Sequence, residues 1–253
     1  MCAATSAMAK AALAALIWLV AALTANAAPQ CHTDQFEGTR YTACTIDPAR
    51  DTIRLYHKTP DGDLIGNFNA LSDLVEGDNG ELTFAMNAGM YHPDRRPVGL
   101  YIEDGVETAR LQLREGPGNF GLLPNGVFCL RGPKASVKES RTFDAAGTQC
   151  DFATQSGPLM VEDGNLHPRF IPGSTSEFVR NGVGVTADGA VVVAISDEPV
   201  NFHRFARLFR DVLGTPDALY LDGKVSRIYA PALGRNGIGL PMGPILGVVT
   251  PAD

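Results

Sequence analysis

Four of the five Asp–Gly pairs of this 253-residue chain, at 61–62, 104–105, 163–164 and 188–189, fall between short apolar runs. Asp–Gly readily adopts the left-handed backbone that a tight hairpin turn demands, so these pairs fold the chain back on itself and favour antiparallel strand neighbours. The flanking runs read as strands: Thr52–His57 with Asp63–Phe68 as its hairpin partner, then Leu82–Met86, Val98–Glu103, Gly126–Leu130 and Pro158–Val161. Gly182–Thr186 and Ala190–Ser196, joined at Asp188-Gly189, form the clearest hairpin. Ala218–Leu221, Val225–Tyr229 and Ile245–Val249 are strand-like as well. One helix stands out, because between Asn201 and Leu213 the side chains of Phe202, Phe205, Ala206, Phe209, Val212 and Leu213 share a face, with Arg204, Arg207, Arg210 and Asp211 opposite. Asn201 suits its N-cap and Gly214 its C-terminal stop. This pattern predicts an α+β fold: a mostly antiparallel or mixed β-sheet core with a few helices, the amphipathic one over 201–213 being prominent.

The first residues carry a different signal. Lys10 precedes an uncharged apolar run of 13 residues, Ala11–Leu23, which leads into the small-residue stretch Ala25-Asn26-Ala27-Ala28. That three-part pattern predicts a secretory signal peptide over residues 1–27, cut near Ala27 or Ala28, and one domain over 28–253 in the periplasm or outside the cell. The run is shorter than the roughly 20 residues needed to cross a bilayer, which argues against a permanent span. Beyond it lie Cys31, Cys44, Cys129 and Cys150, an even number for an oxidising compartment. Three pairings are open; the sequential one, Cys31 with Cys44 and Cys129 with Cys150, is favoured because each bridge closes a short loop, contributing about 3 kcal/mol.

The net charge of −7 gives no basic surface for nucleic acid or an anionic membrane. No C-x-x-C occurs and no two histidines have metal-ligand spacing on a helix, so no resident metal or cofactor is expected; a divalent ion held through a substrate phosphate would leave little trace. Gly182-Val-Gly184-Val-Thr-Ala187 matches a dinucleotide fingerprint on paper, but a turn and a β-branched strand follow where a helix N-terminus should receive the pyrophosphate. Ser156, in Gln155-Ser-Gly-Pro158, has no local histidine and reads as a turn hydroxyl before it reads as a nucleophile. Nothing in the sequence fixes the oligomeric state.

Several segments dense in Asn, Gly, Pro and Asp occur in order between strands, where scaffold-held sites tend to sit. They are Phe84-Ala-Met-Asn-Ala-Gly-Met-Tyr91, Pro97-Val-Gly-Leu-Tyr101, Asn119-Phe120 with Pro124-Asn-Gly-Val-Phe128, Ala153–Met160, Arg180-Asn181, Ile195–Phe202 and Ala218-Leu-Tyr-Leu-Asp-Gly223. As an ordered set, from about Cys44 to Thr250, they resemble the phosphodiester glycosidase family, in particular its exported bacterial branch. The resemblance implies hydrolysis of the bond between a sugar's anomeric carbon and a phosphodiester oxygen. One departure is that Asp222-Gly223 is followed by Lys224-Val225-Ser226 in place of a glycine run and a serine.

That chemistry needs a carboxylate and a phosphate clamp, since a departing phosphomonoester, with a second pKa of about 6, needs little acid assistance. Asp222, at a strand end before Gly223, is the leading catalytic carboxylate, followed by Asp197 and Glu198 after the Val191–Ile195 strand; His92, in a Tyr-His-Pro-Asp turn, is a candidate proton donor. Arg180 is the leading phosphate clamp, since a guanidinium holds two phosphate oxygens at once. Asn87, Gln155 and Asn201 carry amides suited to sugar or phosphate oxygens, and Asn181, Ser156, Gly89 and Gly223 fall in the same segments as expected substrate contacts. The expected partner is a glycan or sugar-phosphate substrate. The alternative is a non-catalytic phosphoglycan-binding or cell-envelope assembly protein.

Overall fold

The computed structural model describes residues 29–251; the expected signal segment over 1–27 lies outside them. The first half of the described chain gives strands β1 (Gln30–Phe36), β2 (Thr39–Ile46), β3 (Thr52–Tyr56), β4 (Gly80–Asn87), β5 (Tyr101–Glu103), β6 (Val106–Ala109), β7 (Gly126–Arg131) and β8 (Lys134–Glu139). The second half gives β9 (Phe152–Ser156), β10 (Leu159–Glu162), β11 (Asn165–Leu166), β12 (Asn181–Val185), β13 (Val191–Ser196), β14 (Asp217–Asp222), β15 (Ile228–Tyr229) and β16 (Ile245–Pro251). The helices are α1 (Phe68–Gly77), α2 (Ser140–Ala145) and α3 (Phe202–Arg207), which runs on into a wider turn over Leu208–Val212.

The strands make three sheets, ordered β1-β2-β13-β12-β14-β10-β11, β15-β4-β16-β3 and β6-β5-β9-β7-β8. Every pairing between these strands is antiparallel, as the turn chemistry predicts. The largest sheet has both faces covered, so β13 and β14 read as near-continuous apolar runs. Side chains alternate across a strand. Val191, Val193, Ile195, Leu219 and Leu221 therefore face the two smaller sheets, where Phe84, Met86, Phe128, Leu246 and Val248 meet them. Ala194, Ala218 and Tyr220 face the other way, against Phe205, Ala206 and Phe209 of the α3 segment.

Gly182 and Gly184 lie on that second face. A Cβ at Gly182 would stand 2.6 Å from Met160 Cε and 2.9 Å from the Leu219 carbonyl; one at Gly184 would stand 2.7 Å from Thr215. The two glycines let the helix layer approach the sheet. That packing role is the physical content of the motif that mimics a dinucleotide fingerprint.

Two sequence expectations fail here. Asp63–Phe68 does not return as a strand: only Lys58 and Leu64 make an isolated bridge, and Phe68 opens α1. Asn67 Oδ1 accepts the Ala70 N–H as N-cap, while Phe68, Leu71 and Val75 bury one face against β4 and β16. In Val225–Tyr229 only Ile228 and Tyr229 are strand; the preceding residues form a loop. The cysteine pairing is the sequential one, Cys31 with Cys44 across the β1–β2 ladder and Cys129 with Cys150. Among the described residues no helix is long and apolar enough to cross a membrane. The Cys129–Cys150 bridge closes a loop of 21 residues, so replacing both cysteines by serine should lower unfolding stability by about 3 kcal/mol, read as a drop in thermal or denaturant midpoint.

Candidate functional site

β12 begins and β14 ends at the same edge of the seven-stranded sheet, which brings Arg180, Asn181 and Asp222 together. Asn181 pairs with Asp222 and Gly182 with Tyr220, so Leu221 has no residue opposite it and β14 bulges. Such a bulge breaks the regular alternation and re-aims the residue that follows, here Asp222. Asn181, on the face turned to the smaller sheets, reaches β4: its Nδ2 donates to Asn87 Oδ1 at 2.6 Å and to the Asn87 carbonyl at 3.2 Å. Its Oδ1 accepts the Asp222 N–H at 2.9 Å. Ser156, fully buried, donates from Oγ to the Leu221 carbonyl at 2.9 Å and fixes the same strand end from β9.

Asp222 is nearly buried, at 8% exposure, and burial pushes its carboxyl above the ordinary value of 3.8 against N–H bonds from Lys224, Gly223 and Val225. The segments that the Asn87–Asn181 pair joins to it carry donors without acceptors. Asn87 Nδ2, Tyr91 Oη and Arg227 Nε and Nη2 are all buried and none has a partner among the described residues. Arg227 belongs to the same cluster, since its backbone N–H donates to Asn87 Oδ1 at 3.0 Å. Burial lowers its guanidinium pKa, and the same effect, reinforced by the charge of Asp222, raises that of Tyr91. The ring of Tyr91 also packs against Gly243, where a Cβ would stand 2.6 Å away. Four unpaired donors, tied to one carboxylate through the Asn87 and Asn181 amides and the charge felt by Tyr91, suit an anionic, oxygen-rich ligand.

Arg180 points to the opposite face of the sheet from Asn181, as consecutive strand residues must. It has no exposed surface and pairs with no carboxylate among the described residues. Its Nε donates to the Val200 carbonyl at 2.7 Å, its Nη2 to the Ser176 carbonyl at 2.9 Å, and its guanidinium lies 3.6 Å from the ring centre of Phe202. Only Nη1 has no hydrogen-bond acceptor. Burial lowers the Arg180 pKa and raises that of Tyr220, whose hydroxyl interacts with the guanidinium and with Asn119. The expected clamp is thus an internal pillar behind Tyr220, with one nitrogen open.

The other expected contacts divide on what their side chains already hold. Gln155 Oε1 accepts from the N–H groups of Leu100 and Gln112, and its Nε2 donates to the Gln112 carbonyl, Ser140 Oγ and Asn125 Oδ1; the amide anchors loops and has no capacity left for a ligand. Asn201 caps α3 through Arg204 N and holds the carbonyls of Pro172 and Ser174. Asp197 is ion-paired with Arg235 at 2.7 Å, and Glu198, half-exposed, bonds the Arg40 N–H and pairs with its guanidinium. His92 is exposed on a turn closed by Arg95 and Arg96 and lines a separate groove with Tyr56, His57 and Glu103. Gly89, at φ +139°, and Gly223 are close-approach positions, where a Cβ would strike Thr154 Oγ1 or the Tyr220 hydroxyl. Sequence reasoning missed Tyr91 and Arg227. Tyr91 closes a segment quoted for other residues, and Arg227 sits in a loop misread as strand.

Comparison with known proteins gives four likenesses. The family described as phosphodiester glycosidase matches residues 80–236. The uncharacterized protein YigE of Escherichia coli strain K12 is 36% identical over 187 residues, 74% of this chain and 73% of YigE. Two solved structures share the fold at 13% identity. A hypothetical protein from Synechocystis has a TM-score of 0.59, covering 88% of this chain but 62% of that longer one. The zebrafish N-acetylglucosamine-1-phosphodiester alpha-N-acetylglucosaminidase catalytic domain, auto-inhibited by its pro-peptide, has a TM-score of 0.58 and covers 87% and 81%.

Because burial raises the Asp222 pKa in the fold, ionising this carboxyl removes stability as pH climbs from the ordinary carboxylate range through the raised value. Asp222→Asn cannot ionise. Its thermal midpoint should exceed that of the native chain at pH 7, and the gap should close as pH falls below about 4; an equal or lower midpoint at pH 7 contradicts the geometry.

Proposed function

The chain belongs to the phosphodiester glycosidase family, and on that premise we propose that it hydrolyses a sugar-1-phosphodiester, releasing the sugar and a phosphomonoester. The observation that carries this reading is the buried Asp222 set among the unpaired donors of Asn87, Tyr91 and Arg227. Arg227 and Tyr91 hold the phosphate oxygens, and Asn87, locked by Asn181, presents its free N–H to the sugar or the bridging oxygen. Asp222 accepts a proton from water as the water oxygen bonds to the anomeric carbon. The bond from that carbon to the phosphate oxygen breaks with its electron pair going to the phosphate, a stable leaving group that needs no second carboxyl. The desolvation that raises the Asp222 pKa makes it a stronger base at neutral pH. Two disulfides fit the oxidising compartment that the N-terminal segment predicts, and we place the protein outside the cytoplasm.

A panel of sugar-1-phosphodiesters, assayed for released reducing sugar, tests the reading. Asp222→Asn should abolish release, by about a thousandfold or more, while staying folded; unchanged turnover removes Asp222 from the reaction. Arg227→Ala should lower kcat/KM by about a hundredfold, the usual loss for a donor to developing charge. Binding of the panel without any release favours a phosphoglycan-binding protein instead.

A further inference from the structure

The loop between Ala230 and Met242 lies directly on Arg227. Arg227 Nη1 donates to the Gly237 carbonyl at 3.4 Å, and a Cβ at Gly239 would stand 2.8 Å from the same nitrogen. Gly237, at φ +54°, leaves no room for a side chain, since a Cβ would meet Phe68 at 2.5 Å and the Ile228 carbonyl at 2.6 Å. The ion pair of Arg235 with Asp197, together with its bond to Thr42 Oγ1, ties the loop back to the large sheet. The loop is therefore seated by glycines against the cation, and its apolar side chains are directed outward. Ile238 is 87% exposed and Leu240 73%. At the same edge of the large sheet, Phe178, bridged to Val200 beside Arg180, is half-exposed.

These exposed aliphatic side chains stand on the glycine-bearing loop that covers a guanidinium with two buried, unpaired donors, which sets an apolar flank beside the anion site of the proposed function. A sugar-1-phosphodiester has its phosphate between the sugar and a second alcohol, so whatever adjoins the phosphate on the far side from the sugar meets this flank. Resting on the glycosidase reading, we infer that Ile238 and Leu240 receive an apolar aglycone, and that the substrate is a lipid-linked sugar phosphodiester presented at a membrane surface. The overall negative charge of the chain suits a neutral bilayer, with the ligand's own phosphate supplying the attraction to Arg227.

The test uses each sugar-1-phosphate of the panel esterified either to methanol or to a hexadecyl alcohol, the latter in phosphatidylcholine vesicles. The native chain should prefer the long-chain ester by about tenfold or more in kcat/KM, and Ile238→Ser with Leu240→Ser should bring the ratio of the two rates close to one. Equal rates on both esters, or a preference retained in the double variant, overturns the inference and leaves the glycosidase reading standing. If neither ester is cleaved for any sugar of the panel, the glycosidase reading fails, and flotation with vesicles carrying the long-chain esters decides the flank separately: binding lost in the double variant supports it, and no binding by the native chain overturns it. A native dimer that the double variant turns into a monomer on gel filtration also overturns it, since a second copy then covers the loop.

Discussion

The side chain of Asn181 holds the site together. Its carboxamide joins two sheets, donating to Asn87 of the smaller one and accepting from the backbone of Asp222 in its own. Asn87 Oδ1 in turn accepts the Arg227 N–H, so a single pair of buried amides sets the relative positions of a carboxylate, an arginine loop and the end of a third element. A buried polar group that loses its partner costs about 1–3 kcal/mol. Here the larger consequence of such a loss is geometric, because nothing else among these bonds ties Asp222 to β4. The orphaned Asn87 Nδ2 exists because Oδ1 is doubly engaged, which fixes the amide's orientation and leaves its N–H free.

Arg180 shows the same fold solving the opposite problem. A buried guanidinium without a carboxylate is expensive unless its donors are satisfied. Two main-chain carbonyls and the face of Phe202 do most of that work. The segment that supplies the Ser176 carbonyl is held in turn by Asn201, whose amide also starts α3. Arg180 and Asn201 thus support the wall behind Tyr220, and through the Tyr220 hydroxyl against Gly223 they support the backbone that follows Asp222.

Much of the architecture was legible because the turn dipeptides and apolar runs are local signals. The Gly182–Ser196 hairpin, the Asn201-capped helix and Asp222 at a strand end all follow from residues within a few positions of one another. Helix α1 carried a signal too, with Asn67 as cap and Phe68, Leu71 and Val75 on one face, but the alternation just before it competed with that reading. What escaped was how side-chain donors and acceptors are used. Gln155, Asn87 and Asn201 are similar amides in segments of similar composition; only their long-range partners show that Gln155 and Asn201 bind the protein itself while Asn87 keeps one donor free. Arg227 matters only because Asn87, 140 residues earlier, holds its backbone.

β16 pairs with both β3 and β4, joining residues 245–251 to residues 52–56 and 80–87. β4 carries Asn87, and the sheet that supports β4 lacks one of its two interior strands until residues 245–251 have been made. Pairings so distant along the sequence form late and slowly. A chain made only as far as residue 244 would still have its hairpins, but β4 would lack the strand that pairs along its whole length, so the Asn87–Asn181 amide pair would be set late. The geometry around Asn87 is thus assembled in the step that closes this sheet, and not before it.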